Sequence, residues 1–149
     1  MLVQANFSGR LTVLGQEIDP RDVLPDAEHQ AAEPTGNSCM IIIATDRGFD
    51  SRQLTRIARR AIFALGRAGS DYAQGSGDYA IAFATGALPG AQDGDLGPVF
   101  SATAEATHEA ILNSLFLATT TTGYQGHTRH AIPLDRLPGQ SSRPAPRSS

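Results

Sequence analysis

Gly36-Asn37-Ser38-Cys39-Met40-Ile41-Ile42-Ile43-Ala44-Thr45 is the stretch on which the reading of this chain turns. It begins where a long polar segment stops. From Ser38 onward the residues are apolar on both faces, which predicts a buried strand covered on both sides rather than one with a wet face. A serine at the first position of such a strand, behind a Gly-Asn pair, is poorly explained by packing. Amide chemistry without a metal needs a nucleophile, a base within hydrogen-bond reach and donors for the oxyanion. Ser38 supplies the first two if the Asn37–Ser38 bond is cut, because the freed α-amino group titrates at about 7.7 to 8.0 and acts as a base near neutral pH. The hydroxyl of Ser38 can make that cut itself, through an N-to-O acyl shift that a permissive Gly36 favours. The plain alternative is a turn at Gly36 and Asn37 leading into a strand.

Upstream, residues 18–35 carry Pro20, Pro25 and Pro34 with Asp19, Asp22, Asp26, Glu28 and Glu33 against a single Arg21. This reads as a long acidic loop, functional or disordered. Residues 2–7 form an apolar strand candidate, and residues 10–14, after Ser8-Gly9, read as its hairpin partner. A core strand this close to residue 1 reads as the later part of a longer polypeptide. Asn6 places an amide in that strand, where it is costly unless hydrogen-bonded. It is a candidate oxyanion donor, or else a satisfied structural amide.

Downstream, residues 50–69 carry Leu54, Ile57, Ala58, Ala61, Ile62 and Leu65 on one face of a 3.6-residue period, with Asp50 and Gln53 as a capping box and Gly66 or Gly69 as the stop. Arg52, Arg56, Arg59, Arg60 and Arg67 fall mostly off that stripe and read as a solvated face. Residues 79–85 alternate Tyr79, Ile81 and Phe83 with alanines, predicting a strand whose small face lets a neighbour approach closely. A Gly/Asp/Pro loop spans 86–97, and a second helix is predicted over 102–122, with Ala104, His108, Ile111, Leu112, Leu115 and Ala118 on one side and Gly123 as its stop. The tail from Leu137 is rich in Pro, Ser and Arg and does not order itself. The element order predicts a mixed α/β sandwich.

With 149 residues, 40% of them hydrophobic, the chain suits one domain. A net charge of −3 argues against nucleic acid and against an acidic membrane surface. Cys39 is the single cysteine, so there is no disulfide framework and no cysteine zinc site; it reads as a small buried hydrophobe. The apolar run at 40–44 is far too short to span a bilayer, and residues 1–10 lack the pattern of a signal peptide, so a cytoplasmic protein is expected. His127 and His130 form a His-x-x-His without an acidic or cysteine neighbour, and Asp93 and Asp95 lack the glutamate of a calcium loop. No metal or other cofactor is expected.

Gly75-Ser76-Gly77-Asp78 places a hydroxyl and a carboxylate two residues apart at the mouth of the Tyr79 strand, on the same side if the spacing is that of a strand. The pair suits proton handling or orientation of Ser38, or else a Gly/Ser turn with an Asp cap.

Val3-Gln-Ala-Asn6-Phe, Gly36-Asn-Ser38-Cys-Met-Ile-Ile-Ile-Ala-Thr-Asp46, Ala64-Leu-Gly-Arg-Ala-Gly-Ser70 and Gly75-Ser-Gly-Asp-Tyr-Ala-Ile-Ala-Phe83, in that order and spacing, resemble the P1 (DmpA-like) aminopeptidases. These self-processing serine peptidases include the L-aminopeptidase D-Ala-esterase/amidase and the β-peptidyl aminopeptidases. The resemblance implies an αββα sandwich similar to N-terminal-nucleophile hydrolases, here partial because the N-terminal portion is absent. It implies self-cleavage between Asn37 and Ser38. Residues 1–37 would be the end of the α chain with its acidic linker (18–37), 38–136 the catalytic β chain, and 137–149 a disordered tail. Ser38 resembles the nucleophile, Ser76 and Asp78 its Ser/acid partners, and Asn6 the amide that helps stabilise the oxyanion. Short peptides, amides or esters are the implied substrates, acted on by a homo-oligomer of αβ units. The absent portion supplies further strands, part of the pocket and an oxyanion-hole tyrosine, so the contrasting expectation is an inactive α/β remnant or interaction module.

Overall fold

The computed structural model describes residues 1–23, 38–87 and 90–137. The acidic loop beyond Val23, the Gly36-Asn37 pair and the tail after Leu137 lie outside them. Strand β1 (Leu2–Asn6) is followed by two short strands, β2 (Thr12–Val13) and β3 (Gln16–Glu17), and one helical turn, α1 (Pro20–Val23). Then come β4 (Ser38–Thr45), α2 (Ser51–Arg67), β5 (Tyr79–Ala84), α3 (Leu96–Phe116), β6 (Thr121–Thr122) and β7 (Thr128–Arg129).

The Ile-rich β4 is central, with β1 antiparallel on one side and β5 parallel on the other. A parallel pair needs a crossover, and α2 supplies it. Helix α2 packs on β5, α3 packs on β1, and the two helices pack on each other, forming one layer over one face of the sheet. Beneath them Cys39, Ile41 and Ile43 meet Ile57, Ala61, Leu65, Leu96 and Ile111 in the main core. Ala80 and Ala82 turn toward the helices, as the small face of that strand predicts. On the opposite face Leu2, Met40, Ile42, Tyr79, Ile81 and Phe83 are 38% to 64% exposed. The expectation that β4 is covered on both sides is therefore corrected among the described residues: one face is covered and the other, equally apolar, is open. In a sandwich of two sheets, such a face meets a second sheet about 10 Å away.

The predicted hairpin of residues 2–7 with 10–14 does not form. β1 pairs with β4, where its side chains gain more apolar contact, and the chain leaves β1 toward the end of α2 through Arg10 N–H to Gly69 C=O at 2.9 Å and Thr12 N–H to Ala68 C=O at 3.0 Å. Gly9 is required at that crossing, because a Cβ on it would lie 2.0 Å from the Gly69 carbonyl oxygen. The hairpin comes one step later, joining β2 to β3 through Leu14 and Gly15, both at positive φ (51° and 78°) as a two-residue type I′ turn requires.

Helix α2 has the expected capping box, with Gln53 N–H donating to Asp50 Oδ1 at 2.7 Å and Asp50 N–H donating to Gln53 Oε1 at 3.0 Å. It stops at Ala68 and Gly69, while Gly66 stays helical. Its arginines are more than a solvated face. Arg52 donates to Asp93 Oδ1 at 2.6 Å, and Arg60 lies 4.3 Å over the Phe100 ring, tying α2 to the start of α3. The second helix is displaced from its predicted span of 102–122. Pro98 sits in its first turn, where a missing N–H costs nothing, and the β-branched run at Thr119–Thr122 is outside it, with Thr121 and Thr122 in β6. Its buried line runs through Leu96, Thr103, Thr107 and Ile111, with the Thr107 hydroxyl donating to the Thr103 carbonyl at 2.7 Å. A second small cluster joins Ile18 and Val23 to Leu137, so the residue at which the tail was expected to begin is itself buried.

Candidate active site

Register decides what meets Ser38. Asn6 and Ser38 are direct partners in the β1–β4 pair, and direct partners share a face. Their neighbours Gln4 and Met40 lie on the open side, so the amide and the hydroxyl stand next to each other at the end of the open face. On the other flank, the parallel pairing of Met40 with Tyr79 brings the loop before β5 against the first residues of β4. Gly77 N–H donates to Ser38 Oγ at 3.3 Å. Asp78 Oδ1 accepts from Cys39 N–H at 2.9 Å, and Asp78 Oδ2 accepts from Ser76 Oγ at 2.8 Å. Asn6, Ser38, Ser76 and Asp78 are thus gathered at one end of the sheet. Asn37, the fifth predicted residue, lies outside the described residues.

The chemistry of the arrangement follows from these donors and acceptors. An N–H aimed at a hydroxyl oxygen stabilises negative charge developing on it. The Asp78 carboxylate fixes the direction of the Ser76 hydroxyl by accepting its proton, which leaves the Ser76 lone pairs as acceptors for a nearby N–H or O–H. The same carboxylate clamps the peptide that follows Ser38. Cys39 is no rival nucleophile: it is fully buried, and burial first and the Asp78 charge second push its thiol up to about 11.

Gly77 is the residue that sequence reasoning missed, although it lies within the quoted tetrapeptide. A Cβ there would sit in ordinary contact with Ser38 Oγ at 3.6 Å and close against the Tyr79 ring at 3.1 Å, so a larger residue would crowd the Tyr79 ring beside the hydroxyl. Its signal in the sequence was a glycine one residue before an acid at a strand mouth, but the register that aims it was not visible. Also missed was a cleft of about 500 Å³ that opens beside Asn6, lined by Phe7, Leu11, Ile18, Leu115 and Arg129 among others. Among the described residues no group of three or more His, Cys, Asp or Glu side chains is placed to hold a metal ion. No helix among them is long and apolar enough to cross a membrane.

The architecture is that of a class of N-terminal-nucleophile hydrolase folds. It superimposes on the L-aminopeptidase D-Ala-esterase/amidase of Ochrobactrum anthropi, described as a new variant among the Ntn hydrolase fold, with a TM-score of 0.65 at 29% identity over 90% of this chain and 40% of that one. A Burkholderia sp. β-aminopeptidase superimposes with a TM-score of 0.66 at 31% identity, over 95% of this chain and 44% of the other. The chain belongs to peptidase family S58, whose profile matches residues 1–129. The β-peptidyl aminopeptidase BapA of Sphingosinicella microcystinivorans is 32% identical to it over 158 aligned residues, 89% of this chain and 40% of BapA. The chain spans about two fifths of the length of the relatives it matches.

Proposed function

We propose that this chain carries the catalytic portion of a self-processing aminopeptidase that releases N-terminal residues from short peptides, amides or esters, with Ser38 as nucleophile. In processing, Ser38 Oγ attacks the Asn37 carbonyl carbon, the amide C–N bond breaks as its nitrogen takes a proton, and an ester forms. Water then hydrolyses that ester, leaving an Asn37 carboxylate and a free Ser38 amine. In turnover, the amine takes the proton of Oγ as Oγ attacks the substrate carbonyl. The Asn6 amide donates to the oxyanion, and Gly77 N–H holds Oγ in place. The proton passes to the departing amine, and water resolves the acyl-enzyme. Ser76, oriented by Asp78, accepts a hydrogen bond from the Ser38 amine and positions it as base.

The observation that carries this reading is the meeting of Asn6, Gly77 and the Asp78-bound first peptide of β4 around Ser38. The boundaries follow the same reading: an α-chain end at residues 1–37 and a β chain from residue 38, assembled as a homo-oligomer of αβ units. Intact-mass analysis of the complete gene product tests it. Two chains are expected, the second starting at Ser38, and Ser38→Ala should remain a single chain without hydrolysis of an amino-acid p-nitroanilide. A wild-type protein that stays uncut, or a Ser38→Ala protein that is still cut, would refute the assignment.

A further inference from the structure

We propose that Tyr79, with Met40 beside it, forms the wall on which the side chain of the substrate's N-terminal residue rests, so that an apolar residue is preferred there over glycine. The proposal rests on the aminopeptidase reading above and adds to it the choice of N-terminal residue.

Three observations carry it. The Tyr79 ring comes close to the nucleophile: the point that a Cβ would take on Gly77 is 3.6 Å from Ser38 Oγ, 3.1 Å from Tyr79 Cε2 and 3.8 Å from the Tyr79 hydroxyl oxygen. Position 77 has no side chain, so the ring edge and the Ser38 hydroxyl border one common gap. Register also puts these side chains on one face, because Met40 pairs directly with Tyr79 and Ser38 lies two residues before Met40 on the same strand. Finally, the face is lopsided in polarity around Ser38. On β1 it carries the amides Asn6 and Gln4, whereas on β4 and β5 it carries Met40 and Tyr79, which are 40% and 61% exposed.

The order of these groups along the sheet assigns the direction. An aminopeptidase binds a single residue on the amine side of the scissile bond and a chain of any length on the other. The side of open length has to leave past the end of the sheet at which Ser38 stands. The single N-terminal residue then lies toward Met40 and Tyr79, two residues further along the face. The polar carbonyl oxygen is directed to the Asn6 amide on the β1 flank, which leaves the apolar flank to the side chain. A rigid aromatic ring covers such a side chain at little cost in conformational freedom. Each CH₂ taken out of water there favours binding by roughly fourfold. Glycine leaves the ring and the thioether uncovered.

The test uses the complete, processed gene product on leucine and glycine p-nitroanilides, and on the corresponding β-residue pair, β-homoleucine and β-alanine. The quantity read is the ratio of kcat/KM values within each pair. The parent should favour the larger side chain. Tyr79→Ala should lower the ratio by roughly 4- to 60-fold, the effect of returning one to three CH₂ groups to water. Tyr79→Phe keeps the ring and should retain the ratio. Met40→Ala should lower it by a smaller factor, and it supplies the reading if Tyr79→Ala does not fold. Tyr124→Ala, at an exposed tyrosine between β6 and β7, should leave it unchanged. The proposal is overturned by a parent ratio of one or less, by an unchanged ratio in Tyr79→Ala (or in Met40→Ala where the former does not fold), or by a Tyr79→Phe loss as large as that of Tyr79→Ala. In each of these cases hydrolysis that still requires Ser38 keeps the aminopeptidase reading standing. Failure of the parent to hydrolyse any of the four substrates overturns both.

Discussion

Replacing Asp78 with Asn separates the proposed role of this carboxylate from a purely structural one. In the parent, Asp78 accepts two hydrogen bonds, from Cys39 N–H at 2.9 Å and from Ser76 Oγ at 2.8 Å. Asn is nearly isosteric, and its amide oxygen still accepts from Cys39 N–H. Its other terminal atom is now a donor facing the Ser76 hydroxyl, so that hydroxyl must accept where it donated, and its lone pairs no longer face the amine of Ser38. The two bonds fall from charge-assisted (about 1.5–3 kcal/mol each) to neutral (about 0.5–1.5), a stability loss of about 1–3 kcal/mol in a half-buried place. The loss in rate expected on misorienting an acid–base group is larger, about 10²- to 10⁴-fold, which is about 2.7–5.4 kcal/mol of barrier. The effect on turnover should therefore exceed what partial unfolding explains. The assay is kcat on an amino-acid p-nitroanilide well below the thermal midpoint, with thermal unfolding recorded on the same sample. Asp78→Ala serves as the contrast: it also strands the Cys39 N–H and should cost about 1–3 kcal/mol more in stability. A kcat for Asp78→Asn within about threefold of the parent would refute the reasoning and assign the tetrapeptide to turn structure.

Gly9→Ala forces a Cβ to within 2.0 Å of the Gly69 carbonyl oxygen at a φ of 133°, and chemical denaturation should show a loss of at least about 1–3 kcal/mol. The Cys39 thiol, pushed from 9.0 to about 11 by burial and then by Asp78, stays protonated in the fold while an unfolded chain ionises. Stability should fall as pH rises from about 9 to 11, by at most about 1.4 kcal/mol per pH unit, and Cys39→Ala should remove that slope. Ile57→Ala empties a fully buried position and should cost about 2–5 kcal/mol in the same denaturation assay, whereas Phe63→Ala, at an exposed position, should cost about 1 kcal/mol or less.

Periodicity made α2 legible, because its apolar residues follow the geometry of the helix, and β4 was legible as an unbroken apolar run of strand length. The capping box at Asp50 and Gln53 was legible for a similar reason, since both partners lie within one helical turn. The start of α3 was not: Gly97 and Pro98 read as the end of a Gly/Asp/Pro loop, whereas they lie in the first turn of the helix, where the missing N–H of Pro98 leaves no hydrogen bond unmade. The hairpin of β1 was misread because Ser8-Gly9 looks like a turn, whereas Gly9 is there to let two backbones touch.

Residue types and local spacing determined which groups this protein offers for chemistry: a serine at the head of a strand, an amide in an apolar strand, a hydroxyl and a carboxylate two residues apart. Tertiary structure decided that they share one place. The pairing of Asn6 with Ser38 and of Met40 with Tyr79 sets β1, β4 and β5 in register, and that register brings Gly77 N–H to the hydroxyl and Asp78 to the following peptide. It also decided that, among the described residues, only one face of β4 is covered. The physical reason is that a strand's side chains alternate by a purely local rule, whereas the partners across a ladder are set by loops and crossovers tens of residues long, whose closure is decided by the burial of the whole sheet against its helices.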